Sequence, residues 1–454
     1  MYTVRKVVDD LYYVGGSDRR LELFENLFPI PRGVAYNSYL LMDEKTVLVD
    51  AVDWSIARNY INNVEQVLDG RPLDYLIIHH MEPDHCGTID EMILRYPNLK
   101  IISSEQGFQI MRQIGYHVKD EQTIIVEEGD QISFGKHNLF FIEAPMVHWP
   151  EVIMSLDTTN GVLFSADAFG SFGALDGQIF ADEVDFERDW LDDARRYLTN
   201  IVGKYGPFIT NVLKKAATVD IKVICPLHGL IWRKDLGWFI NKYATWASYT
   251  PEVEGVLICY GSMYGNTEFA AQTLATALCE KGMTNVRCYD VSKTHYSYLI
   301  SEAFKYSHIV LASPTYNLGI YPNMKNFIMD MAALNLQNRT IGIIENGSWA
   351  CTVGDKIEDF FEENCKLMDI LPERITLNTS LNDIQLNDVN AMADAILESM
   401  KNIRELHAKI DQKSDSPSEE KAEEKEEAEE EVHEEENHEN HDKRDNHDNK
   451  NKRR

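Results

Sequence analysis

LDYLIIHHMEPDHCGT, Leu73 to Thr88, begins as an apolar β-rich run and breaks into a polar cluster that holds His80, Glu82, Asp84 and His85 within six positions. α/β folds keep their sites in loops after strands, because the strand fixes the geometry and the loop supplies the groups. Three more donors follow other β-like runs: His148 in IEAPMVHWPE, Asp167 in VLFSADAFG and His228 in VICPLHGL. One His after a strand is more often structural than a ligand. Seven donors, four of them within six positions, point together to a metal. They divide naturally between two ions, each with two His and one carboxylate, with Asp167 as a shared bridge and positions left open for a substrate. Imidazole with carboxylate suits iron, manganese or zinc, so donor type alone does not choose. His79 should face away from His80, as neighbours on a strand do, and is read as structural.

The flanking sequence reads as a layered α/β arrangement. SYLLM, KTVLVDAV, KIISSE, LFFIEAP, GVLFSAD and IKVICPLHG are further strand-like runs, and residues 182–213 carry apolar positions at helical spacing. A polar, proline-containing stretch, TPEVEG (Thr250 to Gly255), marks a boundary. Beyond it strands GVLICY, NVRCYDV, HIVLASP and TIGIIENG alternate with helices. These are TEFAAQTLATALCEKG, HYSYLISEAFKY, one from Met324 and a last one from Val389. Regular alternation of this kind predicts a doubly wound parallel sheet of flavodoxin type. The expected domains are residues 1–250, 251–409 and a tail, 410–454, read as disordered because it lacks apolar spacing.

Within the second domain, CYGSMYGNTE follows the first strand and opens a helix, with Ser262, Met263, Tyr264, Gly265, Asn266 and Thr267 in the turn. A phosphate monoester there would meet backbone N–H groups and neutral donors at a helix N-terminus, so no Lys is required. The absence of G-K-[ST] excludes a P-loop NTPase, and the absence of G-x-G-x-x-G argues against direct NAD or FAD binding. Ser313, Pro314, Thr315, Tyr316 and Asn317 follow the third strand, and Asn346, Gly347, Ser348 and Trp349 the fourth, so both loops could flank an isoalloxazine ring. Tyr316 and Trp349 are candidates to stack on it. FMN is the cofactor expected.

Composition narrows the function classes. A 454-residue chain that is 44% hydrophobic, with no apolar run near the ~20 residues that span a bilayer, reads as a soluble protein of two or three domains. The opening MYTVRKVVDDLYYVGG is charged where an export signal would be apolar, and a cytoplasmic protein is expected. A net charge of −30 argues against a nucleic-acid partner. From Asp411 on there are 18 acidic and 9 basic residues, so the rest of the chain carries −21 and is acidic in its own right. The tail reads as solubilising, with docking of a basic partner or loose metal binding through His433, His438, His441 and His447 as the sharper alternative. Seven scattered cysteines, none in C-x-x-C, show neither a disulfide framework nor a rubredoxin-like centre.

The first domain resembles the metallo-β-lactamase fold, an αββα sandwich whose hydrolases carry H-x-H-x-D-H and usually zinc. Here Glu82 stands at the second His position. With HWPE after His148, LFSADAFG around Asp167, PLHGLIWRKD around His228 and a flavodoxin pattern downstream, the chain resembles the flavodiiron proteins to about Lys409. That resemblance implies a first iron on His80, Glu82 and His148, a second on Asp84, His85 and His228, and Asp167 between them. Tyr197 resembles a tyrosine that the family often places beside the irons, with helix packing as the plainer alternative. The implied activity is reduction of a small diatomic substrate, O2 to water, NO to N2O or both, oxygen ranked first. It also implies a head-to-tail homodimer, or a dimer of dimers, and an external electron donor, a rubredoxin or a reduced deazaflavin. Many relatives have a His before the RG-x-x-YN-x-YL stretch; LELFENLFPIPRG has none, which bears on substrate preference. The rival reading is a zinc hydrolase fused to a flavodoxin.

Overall fold

A computed structural model describes residues 2–414, with side-chain surroundings for 2–409. Two sheets face each other in the N-terminal part. The first has seven strands in the order Arg5–Val8, Leu11–Tyr13, Tyr39–Met42, Thr46–Val49, Tyr75–Ile77, Lys100–Ser103 and Thr123–Ile125. The second has five, Gln131–Ser133, Asn138–Glu143, Ile153–Asp157, Val162–Phe164 and Val223–Cys225. Strand alternation builds the layers: Tyr39, Leu41, Val47, Val49 and Ile77 pack with Phe141, Ile153 and Phe164 of the other sheet. Leu40, Leu48 and Leu76 pack instead with Tyr60, Val64 and Phe108 of the helices Ala57–Leu68 and Glu105–Ile114. Each of these fully buried large side chains contributes roughly 1.5–3 kcal/mol.

The strands run so that their ends meet. Asn138–Glu143, Val162–Phe164 and Val223–Cys225 point the same way, each alongside or one strand removed from the next. The residues after them therefore gather at one end of the second sheet, where the loop after Tyr75–Ile77 also arrives: Ile153 N–H donates to the His79 carbonyl at 3.0 Å. Residues 186–216 form the expected helical cover, with one irregularity. After the helix Leu191–Tyr197 the chain takes a π turn, Leu198–Val202, before resuming as Gly206–Ala216. Such widened turns often mark functional positions.

From Val253 the chain builds a parallel sheet in the order Val286–Asp290, Val253–Tyr260, Tyr306–Tyr316, Arg339–Asn346, Met368–Leu377. The fifth strand and the helix Val353–Asn364 before it were not anticipated in the sequence. Pro372 hides the strand, because proline does not belong in a central strand. It is tolerated here because the strand is at the sheet edge and the pairing with Arg339–Asn346 slips around it, from Ile341↔Ile370 to Ile343↔Arg374. The last helix is also longer than expected, Asp383–Ser414 rather than from Val389, and so includes residues 410–414 of the segment read as tail. Ile396, Met400, Ile403 and Ile410 continue an apolar spacing among good helix formers, which carries the helix on. The remaining tail, with its four histidines, lies outside the described residues. Residues 1–393 form one unit that contains both sheet systems and all the candidate site residues, and the chain from Asp394 forms another.

The segment joining the two sheet systems is tightly held. Glu252 accepts from Lys242 Nζ at 2.9 Å, from the Trp246 ring N–H at 3.0 Å and from Arg195 Nε, while Arg195 also pairs with Asp192 at 2.7 Å. Buried Arg339 donates to the Tyr249, Ala303 and Phe304 carbonyls.

Candidate functional site

Pro83–Cys86 is a single helical turn begun by proline, whose fixed φ suits a first helical position. It places Asp84 and His85 on the inside of the turn. Gly87 must be glycine, since a Cβ there would come within 2.7 Å of the Pro83 carbonyl. The Ala51 N–H holds the His85 carbonyl at 2.9 Å. Met146 and Ala166, just before His148 and Asp167, adopt positive φ of 64° and 48°. Strained backbone of this sort persists where its surroundings enforce it, commonly at sites.

The seven donors converge as two groups. His80, Glu82, His148 and Asp167 present ligand atoms within 4.8 Å of one another, and so do Asp84, His85 and His228. Asp167 reaches both. Its Oδ2 lies 3.2 Å from His80 Nε2 and 3.1 Å from His148 Nε2, its Oδ1 3.3 Å from His85 Nε2 and 3.8 Å from His228 Nε2. His79 takes no part: Asp50 accepts both its backbone and ring N–H, and its Nε2 meets Ser155 Oγ at 2.9 Å.

These residues fit a cation. Among the described residues no Lys or Arg pairs with Glu82, Asp84 or Asp167, and an uncompensated buried carboxylate is costly. Both ring nitrogens of His80, both oxygens of Asp84 and Oδ1 of Asp167 are buried without a hydrogen-bond partner among the described residues. His85 Nε2 and His228 Nε2 face each other at 2.9 Å, an approach that needs a proton or a shared cation between two lone pairs. His228 Nδ1 donates to the Ala35 carbonyl at 2.8 Å, which leaves Nε2 as the nitrogen that could hold a metal.

An aromatic wall closes the back. Phe24 and Tyr197 meet the His228 ring at 5.4 Å each, and Phe172 stacks edge-on with Tyr197 at 5.2 Å. The Tyr197 hydroxyl is buried and has no hydrogen-bond partner among the described residues. Burial, with the Asp167 charge adding to it, raises its phenol well above the ordinary value, so the proton stays on. Sequence reasoning missed Glu25, in the turn between the paired strands Leu23–Phe24 and Phe28–Pro29. The side chain is exposed by area, but desolvation beside Glu82, together with the Glu82 charge, pushes its carboxyl up to about 8. It belongs to the very segment that lacks the family's His, and no local pattern marks it.

The second constellation is a cleft of about 360 Å³ in the flavodoxin-like part. It is lined by Ser262, Met263, Tyr264, Asn266, Thr267, Pro314, Thr315, Asn317 and all of Asn346 to Trp349. Gly265, at φ +87°, caps the helix Asn266–Glu280, and its N–H donates to Ser262 Oγ at 3.1 Å. Nothing lies within 4 Å of where its Cβ would stand, so the cradle is open. Asn346 Nδ2 ties two loops by donating to Thr267 Oγ1 at 3.2 Å and to the Thr379 carbonyl at 2.9 Å. The open cradle, helix N-terminus and neutral donors fit a flavin monophosphate. Three expected residues are not in the lining. Gly265 shapes the turn through its backbone, Ser313 is buried with its hydroxyl on the Pro314 carbonyl, and the Tyr316 ring packs edge-on against Tyr321 at 6.1 Å. Leu318, Ala350 and Thr379 line it in addition. Thr379 was hidden because the strand before it was.

Residues 34–229 match the family described as ODP family beta lactamase, and residues 258–396 match flavodoxin. The chain is 33% identical to a nitric oxide reductase of Moorella thermoacetica over 336 residues, 73% of this chain and 83% of that protein. The solved rubredoxin oxygen:oxidoreductase of Desulfovibrio gigas superposes with a TM-score of 0.81 at 28% identity, covering 88% of this chain and 99% of that one. The chain belongs to the flavodiiron proteins. The flavodiiron protein of Giardia intestinalis shares the fold, with a TM-score of 0.79 at 23% identity over 88% of this chain and 98% of that one. The flavodiiron match spans both sheet systems in this order, so the replacement of a lactamase-type His by Glu82 stands in its family context.

Proposed function

We propose that this flavodiiron protein is an oxidoreductase that draws electrons through FMN to a non-haem two-iron centre and reduces O2, NO or both. The observation that carries the reading is the pair of donor groups sharing Asp167, in a chain that also presents a flavodoxin phosphate loop. His80, Glu82 and His148 would hold one iron, Asp84, His85 and His228 the other, with Asp167 bridging. Ser262 to Thr267 would hold the FMN phosphate, and the loops at Pro314 and Trp349 its ring. When bound, the flavin supplies one-electron transfer and the iron pair supplies redox capacity with open positions for a diatomic ligand.

The chain's own groups do the rest. The Ala35 carbonyl orients His228, and Phe24, Phe172 and Tyr197 exclude water from one side. Reduction of either substrate consumes protons, and Tyr197 holds one at its hydroxyl, buried beside the ligand set. Relatives named for nitric oxide and for oxygen support both substrates. The electron donor on this reading is a rubredoxin or a reduced deazaflavin, and none of the seven cysteines in this sequence forms a C-x-x-C pair. A head-to-tail homodimer, one chain's flavin serving the other's irons, accounts for Tyr264 and Trp349, 89% and 92% exposed at the cleft. No described helix is long and apolar enough to cross a membrane, and the protein acts in the cytoplasm on this reading.

Anaerobic reduction of the holoprotein, then separate exposure to O2 and to NO, tests the proposal. Catalytic consumption of at least one gas, abolished in Asp84→Ala, is expected. Reoxidation of flavin with equal rates in wild type and Asp84→Ala would mean that the chain is an electron carrier alone.

A further inference from the structure

The loops bearing His80, Glu82 and His148 are fastened together by a side chain outside the ligand set. Glu151 lies three residues beyond His148 and is buried. Its Oε1 accepts the backbone N–H of Met81 at 2.9 Å, and Met81 stands between His80 and Glu82. The main-chain bond from Ile153 to His79, 3.0 Å, makes a second tie between the same two segments. Ser104 Oγ donates to the Glu151 carbonyl at 3.0 Å, anchoring its backbone to the start of the helix Glu105–Ile114. Oε2 has no hydrogen-bond partner among the described residues. A carboxylate buried with a single donor is an expensive way to fill space, so its value must come from what that donor positions. The second ligand group is held otherwise, His85 through Ala51 and His228 through Ala35.

We infer that Glu151 is a positioning residue for the first metal position: it sets the path of the His80–Glu82 loop against His148, and it acts on that position selectively. This rests on the reading of the seven donors as a two-metal centre.

The test is anaerobic Fe(II) titration of metal-stripped, full-length wild type, Glu151→Leu and Glu151→Gln, with circular dichroism confirming that each is folded. Wild type should bind two ions per chain. Glu151→Leu, similar in size but without an acceptor, should keep one at unchanged affinity and bind the other about 10–100-fold more weakly. Glu151→Gln, whose amide oxygen still accepts from Met81, should stay within a few-fold of wild type. Mössbauer spectra of the half-loaded Leu variant should show one iron environment. If the Leu variant does not fold, Glu151→Asp, one methylene too short to reach Met81, should show the same selective loss. Equal weakening of both ions in a folded variant, no weakening of either, or a Gln variant as impaired as Leu would overturn the inference. A wild type that binds fewer than two ions would instead overturn the two-metal reading on which it rests.

Discussion

Asp167 is the residue on which the two donor groups depend together, one oxygen facing each. Asp167→Asn should therefore lose both metals at once, read as metal content per chain, whereas replacing a residue of one group should spare the other. Tyr197→Phe separates chemistry from structure. Its hydroxyl has no partner among the described residues, so removal should change stability by about 1 kcal/mol or less. With both metals retained, turnover should fall about 100-fold if the proton at that hydroxyl is used. Unchanged turnover would leave Tyr197 as packing against Phe172 and His228. The seven candidate ligands were legible because each lies in a loop or turn that follows a strand and carries His or carboxylate chemistry. Glu25 was not, since its place beside Glu82 comes from a hairpin folding back across more than fifty residues, and nothing local in LFEN signals it.

The connecting segment offers a prediction of its own. Burial works to raise the Glu252 carboxyl, but the Arg195 guanidinium outweighs it, with Lys242 and the Trp246 N–H adding, and holds it at about 2. A depressed folded value gives stability that is fully present above the ordinary carboxylate range, near 4.5, and is lost as pH falls from there toward 2. Thermal unfolding between pH 7 and pH 3 should show this loss, and Glu252→Gln should remove that part of it. Glu252→Gln should also destabilise by ~3 kcal/mol at pH 7, because buried Arg195 then keeps only its pair with Asp192. The strands and helices with clean periodicity were readable at this scale. The edge strand interrupted by Pro372 was not, because its tolerance depends on a neighbour in space, and with it went Thr379 in the lining of the cleft.

For the whole molecule, the order of a lactamase-type sandwich and a flavodoxin sheet was visible in the alternation of strands and donors, while the proposed head-to-tail dimer rests on the family resemblance, since no residue pattern encodes an approach between molecules. If the flavin of one chain serves the irons of another, the protein should run at twice 52.2 kDa or a multiple of it by light scattering. Dilution below the dissociation concentration should then reduce turnover per chain with the metals still bound. The account's central claim is that the lactamase-like site has become a redox centre fed by a flavin, and elemental and flavin analysis of the protein as isolated tests it most directly. Two irons and one FMN per chain are predicted; two zincs per chain, with hydrolysis of a thioester or lactam, would contradict it.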